Sequence, residues 1–255
     1  MEKMIERFNQ IALPHRTFEK QQAIMDVLVA YRPEFIEGQG IIVKGKSGDN
    51  AVIKVIVSHF DLVHPFEKGF PEETIFTREH EGHEVISGAL DNTLTNAMLI
   101  NEVLENGLPD DTWLFFTDGE ESGMWGMGDF MRTIRDDLDK YFFINLDVTS
   151  DNWDNMTSVE YDFPNRGISV QIDDAITAGF TTMRFADDMS PIRHAGGDGF
   201  SYCIPTKACC HSYGTNTTVP HFEAYKEGLT FMVQELDVQD KERDGSKYNM
   251  NGRII

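Results

Sequence analysis

Two adjacent glutamates, Glu120 and Glu121, place the strongest constraint on how this chain can fold. They closely follow an apolar run, 113–116, whose aromatic composition predicts a β-strand. Neighbouring carboxylates repel each other, and burying either one without a partner is costly. If this strand end is enclosed by the fold, the pair therefore requires a cation at the same place.

Apolar periodicity predicts strands and helices that alternate along most of the chain. Strands are predicted at 40–45, 51–58, 85–86, 112–117, 141–148, 168–172 and 204–210. Helices are predicted at 2–12, 17–31, 91–106, 123–135, 174–185 and 220–237. The alternation favours the α/β class, as a three-layer sandwich with a mixed, mostly parallel central sheet and helices on both faces.

The same patterns divide the chain into one domain and a tail. Residues 1–237 are expected to form a single domain, and the charged segment 238–255 is expected to be disordered at least in part. The polar segments 60–84 and 149–167 are expected to be irregular apart from the short strand 85–86 that follows the first. In the second predicted helix, Lys20 is expected to face solvent.

Composition excludes several classes of function. The net charge of −21 disfavours binding to nucleic acid or to an anionic membrane. No stretch approaches the ~20 apolar residues of a membrane span, and the first residues lack the apolar core of a signal peptide. The three cysteines, Cys203, Cys209 and Cys210, do not form a disulfide framework. A cytoplasmic protein is therefore expected.

Several potential metal ligands lie at predicted carboxyl ends of strands, the edge at which α/β sheets bind ligands. His59 ends one strand, and its neutral imidazole is a good zinc ligand. Asp61 is suited to accept a hydrogen bond from the other ring nitrogen of His59. Asp147 ends a strongly apolar strand, where a carboxylate is either paired or bound to metal. Taken alone, His59 is better interpreted as a structural histidine at a strand end, because a histidine two residues before an aspartate is a weak pattern.

The remaining candidates extend this site to two metal ions. Asp91, at a predicted helix start, is either an N-cap or a carboxylate that bridges two ions ~3.5–4 Å apart. We assign Glu121 to the metal and Glu120 to the general base, which takes a proton from the attacking water and delivers it to the leaving amine. The last ligand is predicted to be His211, in preference to His221, which is expected on the surface in the first turn of the last helix.

In this order and spacing, the motifs resemble those of the co-catalytic zinc aminopeptidases, a superfamily that includes the glutamyl and tetrahedral aminopeptidases and the single-domain leucyl type. The matching stretches are 58–63, 88–92, 116–123, 146–149, 196–199, 204–206 and 211–212. The resemblance implies a peptide substrate and two Zn²⁺ ions per chain. Oxygen and nitrogen ligands of this kind also accept Co²⁺ or Mn²⁺. It also implies the ligands His59, Asp91, Glu121, Asp147 and His211, with Glu120 as base and Asp61 orienting the first histidine.

Two departures limit the resemblance to the catalytic domain. Tetrahedral aminopeptidases insert a domain between the first histidine and the bridging aspartate, whereas only residues 60–90 lie there in this chain. The large tetrahedral assembly is therefore not expected, and the oligomeric state stays open. Residues 148–210 are too few for the lid domain of the related carboxypeptidases and deacylases. A carboxypeptidase-like or N-acyl amino-acid hydrolase, and a catalytically silent binding module, remain alternatives.

Overall fold

The computed structural model describes residues 1–12, 17–49, 51–62, 75–150, 156–161, 168–176, 179–181, 188–207 and 215–239. Its helices are α1 Glu2–Ile11, α2 Thr17–Val27, α3 Thr93–Asn106, α4 Trp125–Thr133, α5 Ile168–Ala175, α6 Met189–Ala195 and α7 Val219–Thr230. Its strands are β1 Glu34–Ile36, β2 Gly40–Lys44, β3 Ile53–His59, β4 Phe76–His80, β5 His83–Gly88, β6 Thr112–Thr117, β7 Tyr141–Ser150, β8 Ser158–Tyr161, β9 Gly179–Thr181, β10 Gly199–Thr206 and β11 Thr215–Thr218.

Eight of these strands form the central sheet, in the order β1-β2-β6-β3-β7-β10-β8-β9. β3 runs parallel to β6 and to β7, β10 runs parallel to β7, and β8 runs parallel to β9. Antiparallel pairing joins β1 to β2, β2 to β6 and β8 to β10. The predicted mixed, mostly parallel sheet is confirmed.

Helices cover both faces of the sheet because successive strand residues point to opposite sides. Along β6, Leu114 and Phe116 pack into the core that includes α1, α3 and α7, whereas Phe115 packs with α4 and α6. All three side chains are fully buried. Such strands, buried on both faces, read as continuous apolar runs, which is why the sequence predicts this part of the sheet well.

A smaller sheet of three strands in the order β11-β5-β4 lies beside the site. β5 ends at Gly88, three residues before Asp91, and pairs antiparallel with β11, from Thr215↔Gly88 to Thr218↔Val85. The segment 60–84, predicted to be irregular, therefore contains β4 in its described part. β4 is stabilised by cross-strand pairing with β5. The sequence does not predict this strand, because the segment has only a weak apolar pattern.

The predictions between β7 and β10 are partly wrong. Residues 168–172 form the start of α5 rather than a strand, because Ile168 and Ile172 are spaced by one helical turn and are both buried. Of the predicted helix 174–185, residues 174–175 are the end of α5, whereas Gly179–Thr181 form β9 instead of a helix. In the segment 149–167, β8 forms by pairing with β10 and β9.

Two further findings concern the described helices and the C-terminal end of the described part. None of the described helices combines the length and apolar character needed to cross a membrane. Val238 is buried, and the side chain of Gln239 both donates to and accepts from the backbone of Val52. The chain is therefore still packed against the domain at residue 239, and residues 240–255 lie outside the described part.

Candidate metal centre

His59 lies at the centre of the candidate site. It is the last residue of β3, which runs between β6 and β7, and it pairs in register with Thr117 at the end of β6. Its backbone carbonyl accepts a hydrogen bond of 2.8 Å from Nδ2 of Asn96 in α3. His59 is 2% exposed as a residue, so its neighbours within the protein determine the chemistry of its imidazole.

Three carboxylates approach the same ring nitrogen of His59. Nε2 lies 3.1 Å from Oδ1 of Asp91, 3.9 Å from Oδ1 of Asp147 and 4.0 Å from Oε2 of Glu120. These side chains come from segments far apart in the sequence. Their convergence on one nitrogen is the arrangement expected around a cation.

The candidate ligands form two groups that share the histidine. His59, Asp91 and Glu121 make one group, and His59, Glu120 and Asp147 make the other. In each group, one ligand atom per residue lies within 4.8 Å of the others. The structure thus brings together four residues proposed as ligands from the sequence, with Glu120 beside them.

Asp147 occupies a different place in its strand from the one predicted. β7 continues past it to Ser150, because Asp147 and the residues after it pair with β10, from Cys203 onward. Pairing of β7 with β3, however, ends at Asn145. The carboxylate therefore lies just beyond the part of β7 that pairs with β3, close to the end of His59's own strand.

Asp61 connects the histidine to the glutamate pair. Its Oδ1 lies 3.5 Å from Nδ1 of His59. Its two carboxylate oxygens accept backbone N–H bonds from Glu120 and Glu121, at 3.2 and 3.1 Å. Burial alone would raise the pKa of Asp61, but the hydrogen bond to His59, the histidine's charge and these two N–H donors outweigh it and lower the pKa.

The carboxylates also control the protonation of His59. Burial would lower the pKa of the imidazole, but hydrogen bonds to Asp61 and Asp91, with the charge of Glu120, raise it well above 6.5. The same negative surroundings that favour a proton on the ring favour a metal ion in its place.

Asn92 is a site residue that the sequence does not reveal. It is fully buried at the N-cap of α3, where its side chain makes no capping bond. Instead, Nδ2 donates to Oγ of Ser58 at 3.0 Å and to the carbonyl of Leu146 at 2.6 Å. The amide thereby joins the start of α3 to the end of β3 and to the middle of β7. Since Asn92 occupies the N-cap position, Asp91 is left for another role.

The turn that presents Glu120 depends on Gly119. This glycine has φ +74°, and a Cβ at its position would overlap the ring of Trp125, the first residue of α4. The indole Nε1 of Trp125 donates to Oγ of Ser122 at 2.8 Å. The aromatic ring thus packs directly on the backbone that precedes the glutamate pair.

Lys20 is buried, contrary to the prediction that it faces solvent. It is 2% exposed, and its Nζ donates to Oγ1 of Thr93 at 2.6 Å. Phe18, two residues earlier on the same helix, is 69% exposed although it is apolar. The helix is therefore rotated relative to the prediction, because its few apolar residues do not define a clear face and the site's negative charge attracts the lysine.

The geometry above does not include the last proposed ligand. His211 lies outside the described residues, so its assignment stays a prediction. His221 is in the first turn of α7 as predicted, but it is 2% exposed rather than on the surface. It belongs to neither of the two candidate ligand groups found in the described part of the chain.

The donor set fits zinc. Imidazole nitrogen and carboxylate oxygen are both zinc ligands, and the same donors also accept cobalt or manganese. A cluster of buried carboxylates around one histidine requires a balancing positive charge, which either a proton on the imidazole or a metal ion supplies.

Comparison with known proteins identifies the family of this chain. Residues 41–218 match the family described as peptidase family M28. The chain belongs to peptidase family M28. The M28 match includes every candidate ligand and Glu120, whereas Lys20 precedes it. No curated protein sequence matches the chain.

Solved structures share the fold of this M28 chain. An aminopeptidase from the archaeon Desulfurococcus kamchatkensis superimposes with a TM-score of 0.73 at 12% identity, over 95% of this chain and 98% of that one. The TET1 peptidase of Pyrococcus horikoshii gives 0.68 at 11% identity, over 91% and 100%. A TET aminopeptidase from a marine sediment thaumarchaeote gives 0.67 at 12% identity, over 94% and 98%.

Proposed function

We propose that this M28 chain is a di-zinc aminopeptidase that releases N-terminal residues from peptides. The observation that carries the proposal is the convergence of three carboxylates, from Asp91, Glu120 and Asp147, on Nε2 of His59. Isolated acidic clusters are common on protein surfaces, but here His59, Glu120 and Asp147 are buried. Because the chain belongs to a peptidase family, we assign this arrangement to the hydrolysis of peptide bonds.

Each ligand has a place in the proposal. His59 and Asp147 would hold one ion, Glu121 and His211 would hold the other, and Asp91 would contribute its carboxylate to both. When bound, the two ions would polarise the scissile carbonyl and lower the pKa of the bound water, so that hydroxide is available at neutral pH. Glu120 takes the proton from the attacking water and passes it to the leaving amine, as a base positioned beside a metal site can. Asp61 fixes the orientation of His59 and holds the peptide N–H groups of the glutamate pair.

The substrate class rests on the relatives. The Desulfurococcus kamchatkensis and thaumarchaeal proteins are aminopeptidases by name, which favours release of N-terminal residues over carboxypeptidase or N-acyl hydrolase activity. We also propose that this chain does not build a large shell, although the Pyrococcus horikoshii TET1 peptidase assembles into a tetrahedron or an octahedral shell. Residues 60–90 leave room for the β4–β5 hairpin but not for a further domain. A cytoplasmic location fits the odd cysteine count.

The test separates metal binding from catalysis. For Glu120→Gln we expect two bound zinc ions per chain, as in the wild type, and a kcat on amino-acid anilides that is lower by about 10²–10⁴-fold, because the base is lost. Glu121→Gln serves as the matched variant: it should lose metal as well as activity. Metal content is measured by elemental analysis.

Three results would count against the proposal. The first is a wild-type chain that binds less than one metal ion after zinc or cobalt addition. The second is a Glu120→Gln variant with the wild-type rate. The third is hydrolysis of N-acetylated dipeptides in preference to free dipeptides, which would move the assignment to the N-acyl hydrolases.

A further inference from the structure

A buried carboxylate outside the two candidate ligand groups contacts the strand end that leads into the glutamate pair. Asp188 is 1% exposed and lies at the N-cap of α6, yet its side chain makes no capping bond to that helix, residues 189–195. Instead, its Oδ2 accepts a hydrogen bond of 2.6 Å from Oγ1 of Thr117, the last residue of β6. Thr117 is fully buried as well. The carboxylate therefore holds the central sheet.

Thr117 connects this hydrogen bond to the candidate metal centre. It pairs in register with His59, and its carbonyl accepts a hydrogen bond of 3.0 Å from the backbone N–H of Phe60. Only two residues separate it from Glu120, and the second of them is Gly119 at φ +74°. A glycine restricts the backbone little. The position of Glu120 therefore depends on how firmly Thr117 is held, and a carboxylate is a strong acceptor for a hydroxyl.

Two carboxylates thus anchor the segment 117–121, one at each end. Asp188 accepts from the side chain of Thr117, and Asp61 accepts from the backbone N–H groups of Glu120 and Glu121 at 3.2 and 3.1 Å. In this arrangement, Oε2 of Glu120 lies 4.0 Å from Nε2 of the central histidine. A general base must lie within reach of the proton that it removes. A displacement of about 1 Å can reduce a rate by about 10²-fold.

We propose that Asp188 is a positioning residue, which acts through the Thr117 hydroxyl to hold Glu120 in place beside the metal centre. Its carboxylate supports the end of β6 from the side of the sheet covered by α4 and α6, since Met189 and Ile192 of α6 pack there with Phe115 of β6. This inference rests on the proposed function, because it concerns Glu120 as the base.

The experiment removes each partner of the hydrogen bond in turn. Asp188→Ala removes the acceptor, and Thr117→Val removes the donor at nearly constant volume. In each variant we expect kcat on amino-acid anilides to fall by about ten- to a hundredfold, with KM and the zinc content unchanged. The double variant should be no slower than the slower single variant, because both substitutions remove the same interaction. Asp188→Asn keeps an acceptor oxygen and should restore most of the wild-type kcat.

Amide hydrogen exchange of the metal-free chain gives a second readout, which does not depend on turnover. Peptides that cover residues 117–124 should exchange faster in Asp188→Ala and in Thr117→Val than in the wild type, because one anchor of this segment is lost. Asp188→Asn should exchange at close to the wild-type rate. If Asp188→Ala does not fold, Thr117→Val and Asp188→Asn give the same comparison.

A second buried threonine–carboxylate pair provides the matched control. Oγ1 of Thr230 donates to Oε2 of Glu102 at 2.7 Å, and Glu102 is 7% exposed. This pair joins α7 to the part of α3 near its C-terminal end, whereas Asp91 precedes the other end of that helix. Thr230→Val and Glu102→Ala should lower the melting temperature but leave kcat and the exchange of residues 117–124 unchanged.

The outcomes separate this inference from the proposed function. Wild-type kcat in Thr117→Val or Asp188→Ala, an Asp188→Asn variant as slow as Asp188→Ala, or loss of zinc from these variants would overturn the role of Asp188. The proposed function would still stand if Glu120→Gln kept its zinc and lost its turnover. A wild-type chain that binds no zinc, or a Glu120→Gln variant with the wild-type rate, would overturn both.

Discussion

The side-chain amide of Asn92 joins three parts of the site that the chain supplies separately. It follows Asp91, and it donates to Oγ of Ser58 in β3 and to the carbonyl of Leu146 in β7. Each of these contacts lies next to a proposed ligand, His59 or Asp147. The amide therefore fixes the distance between ligands without itself binding metal.

Replacing Asn92 by Ala should weaken both stability and metal binding. Three buried hydrogen bonds are lost, two donated by Nδ2 and one that Oδ1 accepts from Thr95, at a cost of about 1–3 kcal/mol in unfolding free energy. Urea denaturation and zinc titration measure the two effects. Asn101→Ala, on the same helix but in a partly exposed position, is the control and should change neither by a comparable amount. Equal effects of the two substitutions would contradict this role of Asn92.

At this scale the sequence predicts residues whose chemistry is unusual for their place. A histidine or aspartate after an apolar strand is conspicuous, and His59, Asp91, Glu121 and Asp147 do converge. Asn92 and Lys20 are not conspicuous, because an asparagine before a helix and a lysine on a helix are ordinary. Only the tertiary neighbours, Ser58 and Leu146 or Thr93, give these two residues their roles.

Among the elements, the turn from β6 into α4 determines how the glutamate pair is presented. Gly119→Ala should disturb it for two reasons: an L-residue is strained at φ +74°, and the new methyl group would overlap Trp125. We expect a loss of about 2 kcal/mol or more in unfolding free energy, together with most of the activity.

Gly82→Ala is the matched control for that substitution. Gly82, in the β4–β5 turn, has φ +80°, but a Cβ there has no atom within 4 Å. It should therefore incur only the backbone strain, about 1 kcal/mol. Thermal unfolding and anilide hydrolysis compare the two variants. The account of the turn is wrong if Gly82→Ala proves as damaging as Gly119→Ala.

Strands and helices can be predicted from the sequence where an uninterrupted apolar run or a long helical pattern marks them. β3, β6 and β7 are central strands and read as apolar runs, and α1 and α3 carry long helical patterns. The errors fall on short elements. A strand and a helical turn are hard to distinguish over five residues such as 168–172, and β8, β9 and β11 depend on partners distant in the sequence.

For the whole molecule, metal removal is the broadest test. Bound zinc would link the end of β3 and Asp147 within β7 to the turns before α3 and α4, so a chelator should lower the melting temperature. Binding at 100 times the dissociation constant contributes about 2.7 kcal/mol, or roughly 5–10 °C for a chain of this size. Asp147→Asn should show a smaller chelator effect. An identical chelator effect in this variant would argue against Asp147 as a ligand.

The pairing register of the central strands limits how this enzyme could change over time. His59 is matched with Thr117, and Asp147 with Cys203, while alternate residues of β6 serve two separate cores. Inserting or deleting one residue within such a strand would move a ligand by about 3.3 Å and turn apolar side chains to the wrong face. Changes in chain length are therefore confined to connections that carry no proposed ligand, such as the β4–β5 turn, because the connections before α3 and α4 hold Asp91 and the glutamate pair.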